Sequence, residues 1–153
     1  MLDMPPLTTG VYEWTCEIVS AGSINCLGVA ANVKLDLKRP LSNQEGVLFF
    51  RGHSGRSYYT TNEKGIKYCT SGLPTFGEKA RVRFWLDLDD NESGGQLSVS
   101  VNDGQSYVLF KDMRQLAEEN RSGFVPLVAC IEPSGGVRIT DLIRRRGGPR
   151  AAG

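Results

Sequence analysis

Arg81-Val82-Arg83-Phe84-Trp85-Leu86-Asp87-Leu88 alternates without a fault, and Leu97-Ser98-Val99-Ser100-Val101 repeats the pattern. In the first run Val82, Phe84, Leu86 and Leu88 fall on one face, and Arg81, Arg83, Trp85 and Asp87 on the other. A period of two belongs to a strand, because successive side chains of a pleated backbone point to opposite faces. Asn102-Asp103-Gly104 closes the second run, and its Asp-Gly step suits a tight hairpin turn.

Working outward, the same period predicts strands over 12–18, 24–31, 47–50, 56–60, 65–69, 106–110, 124–131 and 137–143. The run 24–31 is apolar almost throughout, which predicts burial on both faces. Gly52 and Gly55 punctuate the third and fourth strands. One short helix is expected over 112–119, with Asp112 as its cap and Gln115 completing a capping box. Many short strands with frequent turn signals imply an all-β, two-sheet antiparallel sandwich over residues 1–143. Arg144-Arg145-Arg146-Gly147-Gly148-Pro149-Arg150 has no periodicity, so 144–153 reads as a basic tail or linker.

The bulk properties agree with one domain. The chain has 153 residues, enough to bury a core without metal or disulfide staples. Its 40% hydrophobic and 23% charged content is ordinary for a globular protein. No apolar run approaches the ~18 residues of a membrane span. Asp3, Pro5 and Pro6 stand where a signal peptide needs a basic and then an apolar stretch, so an intracellular protein is expected. Cys16, Cys26, Cys69 and Cys130 are scattered, with no CxxC step, and read as buried reduced thiols rather than zinc ligands.

A net charge of +1 conceals alternating blocks. Residues 1–33 carry only acids, 34–83 are strongly basic, 84–143 strongly acidic, and the tail is basic again. Two readings stay open: a dipolar surface that steers a charged partner, or oppositely charged strands that neutralise one another in a sheet.

Candidate chemistry is sparse, and no cofactor or metal is expected. Asp87-x-Asp89-x-Asn91 echoes a calcium loop, but the twelfth position is Ser98, not Glu. Asp87, Asp89 and Glu92 also resemble a glycosidase acid pair. The simpler reading is a strand end running into a solvated acidic turn. His53 is the single histidine, has no Gly-x-Ser-x-Gly elbow near it, and reads as an exposed loop residue near a binding face, ahead of a Cys69–His53 dyad. No Gly-rich turn precedes a helix, so no phosphate cradle is expected. Lys34, Lys38, Arg39, Arg51 and Arg56 fall in or beside the loops joining the second, third and fourth strands. Arginines there could grip carboxylates or phosphates, while Tyr58 or Tyr59 supplies contact area.

The order of elements resembles the SPRY domain family. Gly10-Val11-Tyr12-Glu13-Trp14-Thr15-Cys16-Glu17-Ile18 is similar to its opening strand, and Leu27-Gly28-Val29-Ala30 to its second. Phe76-Gly77-Glu78, the strand from Val82 to Asp89, and Gly95-Gln96-Leu97-Ser98-Val99-Ser100-Val101-Asn102-Asp103-Gly104 carry the most specific part. Phe110, Phe124, Pro126 and Val128 follow as in its closing strands. Phe49 and Phe50 stand where many members have a tryptophan block, and Cys130-Ile131-Glu132 where several peptide binders have Trp-Gly. The resemblance implies a bent two-sheet sandwich that binds a protein or peptide, as an adaptor or scaffold, without catalysis. It places the partner on the basic loop face together with the loop holding Ile131 and Glu132. The expectation is therefore an acidic or phosphorylated partner segment and a monomer in isolation. Two alternatives stand beside it: a carbohydrate-active or carbohydrate-binding sandwich using Asp87, Asp89 and Glu92, or an RNA-associated module using the basic strip and tail.

Overall fold

The computed structural model describes residues 5–20, 24–31, 44, 46–52, 54–61, 65–77, 79–119, 123–130 and 136–145. Among the described residues, ten strands and one helix run in the order β1 (Val11–Ser20), β2 (Ile24–Ala30), β3 (Val47–Arg51), β4 (Arg56–Thr61), β5 (Gly65–Thr70), β6 (Arg81–Asp87), β7 (Gln96–Val101), β8 (Tyr107–Phe110), α1 (Met113–Glu119), β9 (Val125–Cys130) and β10 (Gly136–Arg145). They form two five-stranded antiparallel sheets, β10-β1-β6-β7-β8 and β5-β4-β3-β2-β9. This is the expected sandwich.

Alternation sets the core. Trp14, Cys16 and Ile18 of β1, Val82, Phe84 and Leu86 of β6, and Leu97, Val99 and Val101 of β7 face inward from the first sheet. Leu27 and Val29 of β2 and Leu48 and Phe50 of β3 meet them from the second. The second sheet is buried on its other face as well: Ala30, Val47, Phe49 and Leu127 form a separate cluster, with Tyr58 packed against it. That explains the unbroken apolar run at the end of β2, since a strand covered on both faces has no side left for polar residues. Leu7 is tied to Phe124 by a pair of backbone hydrogen bonds, which holds the N-terminal segment against the entry to β9.

Three local expectations are corrected. The helix does not use a capping box: Gln115 Nε2 donates to Glu119 Oε1 instead. Asp112 has φ of 54°, outside the conformation of an ordinary cap, and the carbonyls of Gly95 and Gly94 accept the amides of Met113 and Arg114. The turn after β7 is centred one residue earlier than the Asp-Gly step. Asn102 and Asp103 both take positive φ, and the Gly104 amide closes the turn onto the Val101 carbonyl. Finally, β10 runs through Arg145, so the first two tail arginines belong to the sheet. Arg144 pairs with Tyr12 of β1 and holds its guanidinium 6.0 Å from that ring, over Gly10, where a Cβ would meet the Arg144 Nε at 2.8 Å.

Candidate functional site

The pleat of β3 puts Phe49 and Arg51 on the face away from the core, and β4 sets Tyr58 and Arg56 directly opposite them. The rings of Phe49 and Tyr58 stack with centroids 5.4 Å apart. The Arg51 guanidinium carbon lies 4.9 Å from the Tyr58 ring centre and 5.8 Å from that of Phe49. Stacking on two rings orients the planar fork and lowers the rotamer entropy lost when it grips a ligand. Arg51 Nε is buried and accepted by no oxygen. Arg56, its cross-strand neighbour, is exposed.

The hairpin tip is braced from behind. Leu73 donates its amide to the Gly55 carbonyl at 3.0 Å, and Phe76 to the Gly52 carbonyl at 2.9 Å. A Cβ on Gly55 would strike the Leu73 carbonyl at 2.3 Å, and one on Gly52 would strike the Phe76 ring at 2.6 Å. Gly55 also has φ of 62°, which a side chain disfavours. Phe76 in turn packs on Phe50, ring centroids 5.1 Å apart. The segment from Leu73 to Phe76 is thus a strap that fixes the hairpin carrying the two arginines.

Of the expected partner-binding residues, Arg51, Arg56 and Tyr58 come together here. Lys34, Lys38, Arg39, His53, Ile131 and Glu132 lie outside the described residues. Phe49 joins the site unannounced. The signal for it was present, since Phe49 and Arg51 share a parity along β3 that differs from the core pair Leu48 and Phe50.

The acidic cluster is an internal turn. Asp87 is buried, and its Oδ1 accepts the amides of Asp89 at 3.0 Å and Asp90 at 3.1 Å. Asp89 Oδ1 accepts the Gly10 amide at 2.9 Å, which ties the turn to the entry of β1. Ser93 donates its hydroxyl to Asp90, and Arg114 donates to Asn91 and to the Asp90 carbonyl. The expectation of a solvated turn therefore fails at Asp87, whose carboxylate organises the backbone of the turn. No group of three potential metal donors occurs among the described residues. Burial pushes the Cys16 thiol up to about 12, so it stays protonated at neutral pH and is no nucleophile.

The charge blocks meet on the outer face of the first sheet. Arg81 and Arg138 both approach Glu17, at 4.0 and 3.9 Å, and Arg83 approaches Glu13 at 3.6 Å. Asp103 lies 3.8 Å from Arg81 and 3.6 Å from Arg83. Between these strands the neutralising reading holds, which takes Arg81 and Arg83 out of any continuous basic strip.

No protein-family model matches the chain, and no curated protein matches it. Among solved structures it is similar to the SPRY domain of human HERC1, with a TM-score of 0.65 and 21% sequence identity. That likeness covers 93% of this chain and 81% of the other. The chain thus has the SPRY fold, as its motif order indicated.

Proposed function

We propose that this SPRY-fold chain is a non-catalytic protein-interaction module whose β3–β4 hairpin receives an acidic segment of its partner. One observation carries the reading: Arg51 and Arg56 oppose each other across the hairpin, with the Arg51 guanidinium laid on Tyr58 and Phe49. An oriented arginine pair beside an aromatic surface matches what recognises carboxylate or phosphate groups on a peptide. The SPRY fold supports it, because domains of this architecture generally serve as interaction modules rather than enzymes. The carbohydrate reading is weakened at Asp87, which is buried and accepts two backbone amides. The RNA reading draws on Lys34, Lys38, Arg39 and tail residues 146–153, which lie outside the described residues.

The test is affinity capture from cell lysate with the wild-type chain and with Arg51→Glu/Arg56→Glu. Partners held by this face should drop out with the double reversal. Their retention should weaken with added salt, because exposed charges are screened beyond about 8 Å at physiological ionic strength. A charge-assisted bond is worth about 1.5–3 kcal/mol, so the loss should be tenfold or more. Retention of the same partners by a folded double variant overturns the reading.

A further inference from the structure

Ser54 stands at the tip of the β3–β4 hairpin and is exposed. Arg51 precedes it by three residues and Arg56 follows it by two, and these are the arginines that face each other across the hairpin. The chain reverses between them, and the Gly55 amide donates to the Arg51 carbonyl at 3.2 Å. The turn itself therefore keeps the serine beside both arginines. Arg51 is the stronger receiver. Its guanidinium lies on Tyr58 and Phe49, and among the described residues no oxygen accepts from it, the buried Nε included. A buried donor with no acceptor weighs against the fold until an acceptor arrives. An arginine three residues before a serine is also the charge pattern by which arginine-directed kinases choose substrates.

We propose that Ser54 is a phosphorylation site, and that Arg51 receives its phosphate in place of a partner's acidic group. The inference rests on the hairpin reading above and supplies that site with a means of control. In the transfer, the Ser54 Oγ attacks the γ-phosphorus of MgATP. The bond from that phosphorus to its bridging oxygen breaks, ADP leaves, and the hydroxyl proton passes to the catalytic aspartate of the kinase. The product carries a charge of about −1.5 to −2 at neutral pH and three acceptor oxygens. Set opposite arginines, such a group forms new charge-assisted hydrogen bonds. It belongs to the same turn as Arg51, so its effective concentration is on the order of millimolar or higher, and a partner's carboxylate must compete with it. A kinase takes its substrate as an extended segment, so the tip has to open first. The hydrogen bonds from Leu73 and Phe76 oppose that opening. Local opening of one hairpin tip costs far less than global unfolding, so the strap sets the rate of modification.

The intact chain is incubated with MgATP and the catalytic domain of a calcium/calmodulin-dependent protein kinase, and phosphorylated residues are located by peptide mass spectrometry. Mapping by residue separates Ser54 from Ser42, which has Arg39 in the same relation. Phosphate should enter at Ser54. Phe76→Ala, which loosens the strap, should take it up severalfold faster. No incorporation at Ser54 overturns the proposal. Phosphoserine placed at position 54 during translation then reports the pairing. In a phosphorus NMR titration its second ionisation should fall at least half a unit below the usual value of about 6, and should return toward it in Arg51→Gln. The same ionisation with and without Arg51 overturns the proposal. So does retention, by the phosphorylated chain, of lysate partners that Arg51→Glu/Arg56→Glu loses. A shift that depends on Arg51, with no partner lost by the double reversal, upholds the phosphate pairing and overturns the hairpin reading alone.

Discussion

The indole of Trp14 lies on the ring of Phe84, centroids 5.4 Å apart and planes 16° from parallel, at directly opposed positions of β1 and β6. Both side chains are fully buried where the two sheets meet. Truncating Trp14 removes a large apolar area and leaves a cavity that the flanking strands cannot close. Trp14→Ala should cost about 3–5 kcal/mol in urea denaturation, and Trp14→Phe distinctly less because a ring remains on Phe84. A loss for the alanine variant under about 1 kcal/mol would contradict the packing described.

Gly28 of β2 faces Phe49 of β3 in the strand register. A Cβ there would stand 1.9 Å from the Leu48 carbonyl oxygen and 2.8 Å from the Phe49 Cα. Those atoms are backbone in the middle of a sheet and cannot move aside. Gly28→Ala should therefore destabilise by at least about 2 kcal/mol, through overpacking rather than loss of any contact. Because Phe49 carries one side of the arginine platform, the same variant should also weaken partner capture in proportion to the disturbance of β3. A melting temperature equal to wild type would refute the close approach.

Asp87 tests whether the acidic turn is structural. Asp87→Ala leaves the amides of Asp89 and Asp90 without their acceptor and should cost about 1–3 kcal/mol. Asp87→Asn keeps an acceptor oxygen and should recover part of that loss. Glu92→Ala, at an exposed position, should change stability by less than about 0.5 kcal/mol. Millimolar calcium should leave the melting temperature of the wild-type chain where it was. A calcium-induced rise that Asp87→Asn removes would assign the turn a metal instead.

Cys16 links burial to pH. Its thiol is raised from the ordinary 9.0 to about 12 in the folded chain, because burial disfavours the thiolate. The unfolded chain therefore ionises first as pH rises. This contribution to stability is complete below pH 9.0 and is lost between there and about 12. The slope there approaches 1.4 kcal/mol per pH unit, the value of about one proton per unfolding event. The stability difference between wild type and Cys16→Ala should be flat below pH 9.0 and should shift against the wild type above it. At pH 8 the native thiol should also resist iodoacetamide until denaturant is added. Rapid native alkylation of Cys16 would show the thiol to be accessible.

Much of the fold was legible because alternation is a local property. The parity of Val82, Phe84 and Leu86 against Arg81, Arg83 and Trp85 predicts which side of β6 is buried, and the structure buries that side. The capping box at Asp112 was legible and wrong. A cap depends on which carbonyls stand near the helix start, and Gly94 and Gly95 reach that place only once the turn after β6 has folded. The solvated reading of Asp87 failed for a similar reason, since the amides that it binds are brought beneath it by the turn itself.

The sequence by itself determined the sandwich, the strand faces, the positions of most turns and the presence of a basic stretch between 34 and 83. Those follow from side-chain period and turn chemistry, which act within a few residues. Only the tertiary structure decided which charged side chains stand beside one another. Arg81 and Arg83 look equivalent to Arg51 and Arg56 along the chain, yet β1 sets Glu13 and Glu17 beside the first two. The hairpin sets Arg51 and Arg56 against each other. Cross-strand neighbours come from distant segments, and Coulomb interaction depends on their separation in space, not along the chain.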